Sequence, residues 1–356
     1  MVFEQTIFLT GFPGFIAEQL LKRLARRDRQ VLLLVQPHLL SAALGKIEAI
    51  AEATCAPLEN FAVIEGDICR PGLGMSGEDL EFVRINSTHI FHLAAIYDLA
   101  VPREIAMKVN VDGTRNVNIL AGSMPNLARY SYVSTCYVAG KRAGVIRENE
   151  LIHDSGFRNF YEESKYLAEC EVEKLKDSIP VTIFRPSVVV GDSKTGETAK
   201  YDGIYYLIHY LLKAPQLLRL INVGNQQVRL NLVPVDFVSD GIAALAFDPE
   251  AEGKTLALAD PKPKTTAELF DLIAKEITGR RSLLVPPPGL VRWSLMLPFS
   301  PALTGLPHSG VPYFFLEQEY DSGISTPLLA RSGINCPHLT AYVRNLLDFV
   351  EKHPAL

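Results

Sequence analysis

Residues 6–24 read TIFLTGFPGFIAEQLLKRL, in which an apolar run meets two glycines and then a helical pattern. The run Thr6–Leu9 has the composition of a buried β-strand. Beyond the glycines, apolar side chains recur on one helical face, at Phe15, Ile16, Leu20, Leu21 and Leu24. Gly11 and Gly14 lie at the junction, where glycine lets the backbone approach a neighbouring group closely. The stretch therefore predicts a strand, a tight turn and a helix, the first unit of an α/β fold.

The same alternation of strand and helix patterns continues along the first half of the chain. Short apolar and β-branched runs predict five more strands, at Val31–Val35, Phe61–Glu65, His89–Leu93, Tyr130–Ser134 and Val181–Arg185. Helical patterns lie between them, which favours βαβ crossovers and a Rossmann-like, doubly wound parallel sheet. We expect this dinucleotide-binding core over residues 1–190, with 225–260 returning to it. Residues 191–356 are expected to form mainly a smaller, substrate-binding C-terminal region.

Composition and charge exclude several classes of protein. The net charge of −5 argues against a nucleic-acid partner, which requires a basic face. The five cysteines are scattered and form no C-x-x-C pair, which indicates a reducing compartment, and we expect a cytoplasmic protein. No run approaches the roughly 20 apolar residues of a membrane span, and no histidine has a metal-ligand spacing with a carboxylate. We therefore expect neither a membrane span nor a metal, and a homodimer is left open.

The glycine turn has the context of a dinucleotide-binding fingerprint, because it follows a strand and begins a helix. Free N–H groups at the start of a helix can hold a pyrophosphate. Ala17 replaces the third glycine of the fingerprint, a change that close packing of helix and sheet tolerates. An ordinary strand-to-helix turn is the alternative. The context favours a cofactor site.

Gln36 ends the second predicted strand, where an NAD site usually places an acidic residue on the ribose hydroxyls. A neutral amide does not repel a 2′-phosphate, so NADP(H) is predicted as the preferred cofactor. NAD(H) stays open, because no arginine stands at this position. The alternative for Gln36 is a solvated loop residue.

Tyr161 and Lys165 are four residues apart in NFYEESKYLAE and share one face of a predicted helix. A tyrosine has an ordinary pKa of about 10, and a neighbouring ammonium moves that pKa toward the working range of an acid–base catalyst. A surface helix with a chance tyrosine and lysine is the alternative. The strand before SYVSTCYVAG favours catalysis, because it delivers the hydroxyls of Ser134 and Thr135 to a loop where one can bind a substrate carbonyl.

Several motifs together resemble the extended short-chain dehydrogenase/reductase family. They are GFPGFIA, GDI, HLAA, NVDGT, VSTCYVAG, YEESK and RPSVVVGD, in the family's order. Within the family, the chain is most similar to the fatty acyl-CoA reductase and thioester reductase branch, which has patterns similar to VSTCYVAG, NFYEESKYLAE, RPSVVVGDSKTG and LVPVDFV. The likeness covers residues 6 to about 240 and weakens beyond them.

The resemblance implies a role for each matching residue. The pyrophosphate loop would consist of Gly11, Phe12, Gly14, Phe15 and Ile16. The adenine would meet Asp67 and Ile68, the cofactor ribose would lie beside Ala94 and Ala95, and the nicotinamide would lie near Pro186 and Val188. Asn110 matches a family asparagine, although helix packing or capping explains it almost as well. Thr135, five residues before Gly140, matches the family's substrate-orienting hydroxyl. Tyr161 would be the general acid/base, and Lys165 would bind the nicotinamide ribose and lower the tyrosine pKa.

The resemblance also implies a reaction. We expect an NADPH-dependent oxidoreductase that reduces an acyl thioester, on coenzyme A or on a separate carrier protein, to an aldehyde or alcohol. One alternative is a ketone or alcohol dehydrogenase for a lipid- or steroid-like substrate. A second is a nucleotide-sugar epimerase or dehydratase, and a third is a binding protein that senses NADP(H) without catalysis.

The substrate site is expected between the nicotinamide edge and the C-terminal region. Loops leaving the strands would supply Ile96, Tyr97, Tyr137 and Val189 as an apolar wall. Tyr205 and the stretch Leu283–Pro301, which contains Trp293, could close the other side. For Leu283–Pro301 the favoured interpretation is plain core, and a lid over a lipophilic substrate is the alternative.

Overall fold

A parallel β-sheet forms the centre of the computed structural model, which describes residues 3–213, 218–301, 306–308 and 310–354. The strands in these ranges are β1 (Gln5–Thr10), β2 (Arg29–Val35), β3 (Phe61–Glu65), β4 (His89–His92), β5 (Arg129–Val133), β6 (Gly144–Ile146), β7 (Val181–Pro186), β8 (Val188–Val190), β9 (Leu232–Pro234), β10 (Thr255–Leu258) and β11 (Gln318–Tyr320). Seven of them form the central sheet in the order β10-β7-β5-β4-β1-β2-β3. The six predicted strands and the predicted Rossmann-like α/β fold are confirmed.

The helices of the described ranges cover both faces of this sheet or pack together in the C-terminal region. They are α1 (Phe15–Leu24), α2 (Leu40–Thr54), α3 (Gly77–Asn86), α4 (Arg103–Ala106), α5 (Gly113–Ser123), α6 (Phe160–Glu173), α7 (Ile204–Lys213), α8 (Val235–Leu245), α9 (Thr266–Thr278), α10 (Pro288–Leu295), α11 (Ser325–Arg331) and α12 (Val343–Lys352). A π-helical segment, Met107–Asp112, joins α4 to α5. In the described ranges, no helix combines the length and the apolar character that crossing a membrane requires.

Most strands of the central sheet carry buried side chains at successive positions, because helices cover both faces of the sheet. Ile7 and Leu9 of β1 belong to the core under α1, α2 and α8, whereas Phe8 belongs to the opposite core under α3, α5 and α6. Side chains of successive strand residues point to opposite faces, and burying each large apolar side chain contributes about 1.5–3 kcal/mol. This two-sided burial explains the continuous apolar runs.

The chain after β8 builds a third core and then returns to the sheet. Helices α7, α9 and α12 pack together through Ile208, Phe270 and Leu346. Strand β10 pairs with β7 at the edge of the sheet, α8 packs against α1, and β11 pairs with β6. The C-terminal region is therefore attached to the first half of the chain at several places, and β6 with β11 forms a separate two-stranded sheet.

The interpretation of Leu283–Pro301 as plain core is wrong. Its large apolar side chains are mostly exposed, and Val291 is the buried residue of α10. The physical reason is the proline run Pro286–Pro288, which ends one segment and begins a helix of only two turns. So short a helix covers the body of the protein with one face and leaves the other exposed.

The order of the strands reverses at β1, which has β2 on one side and β4 on the other. The crossovers leave in opposite directions from this point, so a crevice opens at the carboxyl ends of the strands, where ligands of such sheets bind. Gly11, Asp67 and Ala94 follow the strands that end there.

Candidate active site

The turn between β1 and α1 requires glycine at two positions. Gly11 has φ +95°, and a Cβ atom there would lie 2.7 Å from the backbone nitrogen of Ala94. A Cβ atom on Gly14, the N-cap of α1, would lie 2.7 Å from the carbonyl oxygen of Gly11. The turn is therefore compact, and it directs the unpaired N–H groups of the first turn of α1 toward the crevice. This cradle fits a pyrophosphate.

A cavity of about 240 Å³ lies at this turn. Eight predicted cofactor residues line it, namely Gly11, Phe12, Gly14, Gln36, Asp67, Ile68, Ala94 and Ala95. Seven further lining residues were not predicted, namely Thr10, Pro13, Leu34, Leu39, Gly66, Cys69 and Val109. Phe15 and Ile16 form the start of α1 and are not part of this lining.

Asp67 and Gln36 interact at one end of the cavity. Burial alone would raise the pKa of Asp67, but hydrogen bonds from Cys69 and Gln36 and the nearby charge of Arg70 hold this pKa below its usual value. The Cys69 N–H donates to the carboxylate at 2.9 Å. Asp67 is therefore a charged acceptor at neutral pH, and Gln36 is a partner of Asp67 rather than a solvated loop residue.

Helix α6 presents Tyr161 and Lys165 on one face, one turn apart. The side chain of Asn159 caps the helix by accepting from the Glu162 N–H at 3.0 Å. Tyr161 is only 7% exposed. Burial raises its pKa above the ordinary value, and an interaction with Thr135 offsets part of this rise. The structure thus brings Thr135 and Tyr161 together and keeps the tyrosine protonated.

Lys165 is buried beside Tyr161, with 3% of its surface exposed. Its ammonium donates to the Tyr132 hydroxyl and to the Val133 carbonyl, both at 2.9 Å. Burial lowers the pKa of Lys165 to about 7, against the opposing effect of Glu169. The sequence predicts that Lys165 lowers the pKa of Tyr161. In the structure this pKa is raised instead, because the desolvation of the buried Tyr161 is the largest effect.

A buried polar chain leads from Lys165 to the glycine turn. The Tyr132 hydroxyl interacts with Thr114, whose hydroxyl lies 3.0 Å from His92 Nε2. His92 Nδ1 lies 2.8 Å from the hydroxyl of Thr10, the last residue of β1. Burial, and then the charge of Lys165, lower the pKa of His92 to about 3. The imidazole is therefore neutral and bridges two threonines.

A buried ion pair attaches α6 to β7. Glu169 accepts from Arg185 Nε at 2.9 Å and from Nη2 at 2.5 Å, and Ser134 donates to the same carboxylate. Arg185 also donates to the carbonyls of Glu148 and Glu150, each at 3.1 Å. These bonds fix the helix that carries Tyr161 against the sheet.

Three predicted substrate residues surround Tyr161. Ile96 and Tyr137 belong to one apolar cluster with it, and the ring of Tyr97 meets the Tyr161 ring edge-on with centroids 5.0 Å apart. Asn110 holds the loop after β4, because its side chain accepts from the Ile96 N–H at 2.8 Å and donates to Ser164 at 2.9 Å. Both ends of the Asn110 amide are thus engaged in packing this loop.

The remaining predicted residues lie farther out. Pro186 ends β7, and Val188 lines a narrow cleft beside Tyr137. Val189 packs against the core of the sheet. Tyr205 is buried in the C-terminal core, where its hydroxyl accepts from the Gly191 N–H at 2.9 Å. Trp293 lies on the exposed face of α10, so Tyr205 and Trp293 do not join the cluster around Tyr161.

Two residues of the site carry no signal in the sequence. Tyr313 donates to Glu162 at 2.6 Å, accepts from Asn159 at 2.7 Å, and its ring centroid lies 4.8 Å from that of Tyr137. Asp202 has its own pKa raised by burial, and its charge raises the pKa values of Tyr97 and Tyr161. Tyr313 lies beyond residue 240, where the resemblance weakens, and Asp202 belongs to none of the matching motifs, so only the folded chain reveals them.

A second cavity, of about 160 Å³, lies in the C-terminal region between α7, α9 and α10. Its lining is mostly apolar and consists of Tyr206, Leu207, Tyr210, Val223, Gly224, Thr266, Phe270, Ser294, Leu295, Leu306 and Phe314. Tyr206 also interacts with Tyr97, which contacts Tyr161. Through Tyr206 and Tyr97, the lining of this cavity is connected to Tyr161.

Two curated relatives are reductases. A fatty acyl-CoA reductase (wat) of Drosophila melanogaster is 26% identical over 281 residues, which are 69% of this chain and 54% of the relative. The large subunit of L-2-aminoadipate reductase from Penicillium chrysogenum is 27% identical over 321 residues, which are 83% of this chain but 22% of the relative. The chain thus spans about half of the first relative and less than a quarter of the second.

A solved structure matches nearly the whole fold. It is the terminal R domain from the myxalamid PKS-NRPS biosynthetic pathway, with a TM-score of 0.79 and 28% identity, covering 99% of this chain and 92% of that one. The predicted resemblance to the fatty acyl-CoA reductase and thioester reductase branch is confirmed. The family model described as male sterility protein, an NAD-binding domain, matches residues 9–242. Because this match covers well over half of the sequence, the chain belongs to the male sterility protein family.

Proposed function

We propose that the chain reduces an acyl thioester, carried by coenzyme A or by a carrier protein, to an aldehyde or an alcohol. The observation that carries the proposal is the interaction of Thr135, which follows the carboxyl end of β5, with Tyr161, one helical turn from Lys165, at the same edge of the parallel sheet as the glycine turn. The fatty acyl-CoA reductase and the R domain described above support the choice of a thioester. The apolar cluster at Tyr161 supports an apolar acyl group.

The chain's own residues would bind, orient and protonate the substrate. A reduced nicotinamide in the crevice would supply a hydride to the carbonyl carbon of the thioester. The Thr135 hydroxyl would hold the carbonyl oxygen, and Tyr161 would donate its proton to that oxygen as the carbon–hydrogen bond forms. The resulting hemithioacetal would release the thiol as its carbon–sulfur bond breaks, and its hydroxyl proton would pass to the leaving sulfur. Burial keeps the tyrosine protonated, which suits the acid role in reduction.

Gln36 supports NADP(H) as the preferred form of the cofactor. No carboxylate occupies the end of β2, and the Gln36 amide is neutral. The scattered, unpaired cysteines support a cytoplasmic location. A dehydrogenase acting on a lipid-like ketone would use the same three residues, so the two activities are separated by their substrates and not by the site.

The test is the loss of NADPH absorbance with a panel of acyl-CoAs, aldehydes and ketones, in wild type and Tyr161→Phe. The substitution keeps the ring and removes the proton donor, so turnover should fall about 100- to 10,000-fold while NADPH binding is retained. Tyr166→Phe is the matched control, because Tyr166 is on the same helix and packs against His153 and Phe157 instead. Near-normal turnover in Tyr161→Phe would refute the mechanism, and activity with ketones alone would refute the thioester substrate.

A further inference from the structure

The segment around α10 differs in charge from the rest of the chain. Between Glu276 and Glu317 there is no acidic residue, whereas Arg280, Arg281 and Arg292 lie within it. The whole chain carries a net charge of −5, so this segment is a local cationic region on an anionic protein. The three arginines are exposed, and none forms an ion pair with any residue in the described ranges.

The same segment exposes large apolar side chains. Seven of them are between 51% and 76% exposed, namely Leu283, Leu284, Val285, Leu290, Trp293, Met296 and Phe299. Single exposed apolar residues are normal on a protein surface, but a concentration of them marks an interaction site. We call these seven residues and the three arginines the α10 surface.

Helix α10 is amphipathic within its two turns. Val291 is buried, and Ser294 and Leu295 line the apolar cavity beneath the helix. Leu290 and Trp293 are three residues apart, so they share the opposite, exposed face. The helix therefore separates an apolar cavity from an exposed face that is also apolar.

The geometry points to an anionic phospholipid bilayer as the partner of the α10 surface. Tryptophan, phenylalanine and leucine bury at the boundary of headgroups and acyl chains, while arginine reaches the lipid phosphates. Each basic residue near an anionic leaflet adds to the attraction. The proposal is peripheral adsorption of the folded protein, and it requires no membrane-spanning helix.

A second copy of the chain fits this surface poorly. In a two-fold dimer the same patch faces itself, so the three arginines would meet three arginines with no carboxylate among them. Like charges across an interface are unfavourable. An anionic bilayer would bury the apolar side chains and would also offer phosphates to the arginines.

The proposal does not depend on the proposed function, since adsorption needs neither cofactor nor substrate. It would add one consequence to that function. Adsorption through α10 would bring the apolar cavity beneath the helix next to the acyl region of the bilayer. An apolar substrate would then reach the protein from the lipid phase.

The experiment is co-sedimentation of the full chain with vesicles of pure phosphatidylcholine or of equal parts phosphatidylcholine and phosphatidylglycerol. We expect binding to the mixed vesicles that weakens as salt is added, and little binding to phosphatidylcholine alone. Trp293 is the only tryptophan in the sequence, so its emission should shift to the blue and be quenched by lipids brominated on their acyl chains. Unchanged emission with the mixed vesicles would refute insertion of α10.

Matched variants identify the surface. Arg280→Glu with Arg281→Glu should weaken binding to the mixed vesicles by at least about 30-fold, whereas Arg26→Glu with Arg27→Glu, another exposed adjacent pair, should change it little. Leu290→Ser should also weaken binding, and Ile119→Ser, an exposed apolar residue on α5, should not. Equal effects of the two arginine pairs would overturn the proposal. So would dimer formation, or binding to an acidic carrier protein, without any binding to vesicles.

Discussion

Replacing Lys165 by methionine should remove a specific pH dependence from the stability of the protein. The lysine is buried and its pKa is lowered from 10.5 to about 7, chiefly because burial disfavours the charged ammonium. The unfolded chain keeps the ordinary pKa. Between these two values the unfolded state binds a proton that the folded state has released, so the stability of the wild type rises with pH across this window.

The size of the effect follows from the two pKa values. One pKa unit corresponds to about 1.4 kcal/mol, so Lys165 contributes about 5 kcal/mol more to the free energy of unfolding above pH 10.5 than it does below pH 7. About 2 kcal/mol of this change should fall between pH 7 and pH 9. Methionine does not titrate and has a similar length. The difference in stability between wild type and Lys165→Met should therefore change by that amount.

Urea denaturation of the cofactor-free protein at pH 7, 8 and 9 measures this difference. Other titrating groups are common to the two proteins and largely cancel. Lys174→Met is the control, because Lys174 follows the same helix with 67% of its side chain exposed, beside Glu171. Its difference from wild type should stay nearly constant with pH. If the curves of wild type and Lys165→Met are parallel, Lys165 does not have a strongly lowered pKa in the folded state.

Three further changes test the site and its support. Arg185→Met should lower the free energy of unfolding by about 3–5 kcal/mol, because Glu169 stays buried without its cation. Urea titrations of the double variant with Glu169→Leu should show most of this stability restored. A double variant no more stable than Arg185→Met would contradict this. Gln36→Asp should shift preference toward NADH in fluorescence titrations, and an unchanged ratio would contradict the role of Gln36. Gly14→Ala should weaken dinucleotide binding in the same titrations, because its Cβ would lie 2.7 Å from a backbone oxygen, whereas Gly45→Ala meets nothing within 4 Å and should not.

The sheet could be predicted because its signal is local. Strands buried on both faces show no alternation of apolar and polar residues, and β2 is the clearest case because Val31–Val35 are all apolar. The pattern is weaker at the strand ends. Strand β2 begins at Arg29, two residues before the predicted start, and the guanidinium of Arg29 lies 4.2 Å from the ring centroid of Phe247. A contact with a residue so distant in the sequence leaves no mark on the local pattern.

The cofactor end of the site could be predicted for a related reason. Gly11, Asp67 and Ala94 each lie within two residues of the end of a strand, so finding the strands also finds the residues at their carboxyl ends. Leu39 and Val109 reach the same cavity from a helix start and a π-helical segment. Their positions depend on how those elements pack, which the sequence pattern does not encode.

The C-terminal half was predicted least well, because apolar composition does not indicate whether a side chain faces the core or the solvent. Leu283–Pro301 is as apolar as a strand of the core, yet three consecutive prolines interrupt it, α10 spans only 8 residues, and most of its large side chains face outward. In the same way, Tyr205 and Tyr206 are equivalent in the sequence. The rotation of α7 buries Tyr205 in the core and turns Tyr206 toward the cavity.

Burial acts on the two central residues of the site, Tyr161 and Lys165, in the same way. Burial raises the pKa of Tyr161 and lowers the pKa of Lys165, because in each case it favours the neutral form. The neutral tyrosine carries a proton that it can donate. The lysine beside it has a pKa of about 7, so its neutral amine can accept a proton. Proton transfer to a substrate oxygen leaves a phenolate, and protonation of Lys165 would stabilise that charge. Under the proposed mechanism, a protonated Tyr161 suits the direction in which the tyrosine donates its proton, which is reduction.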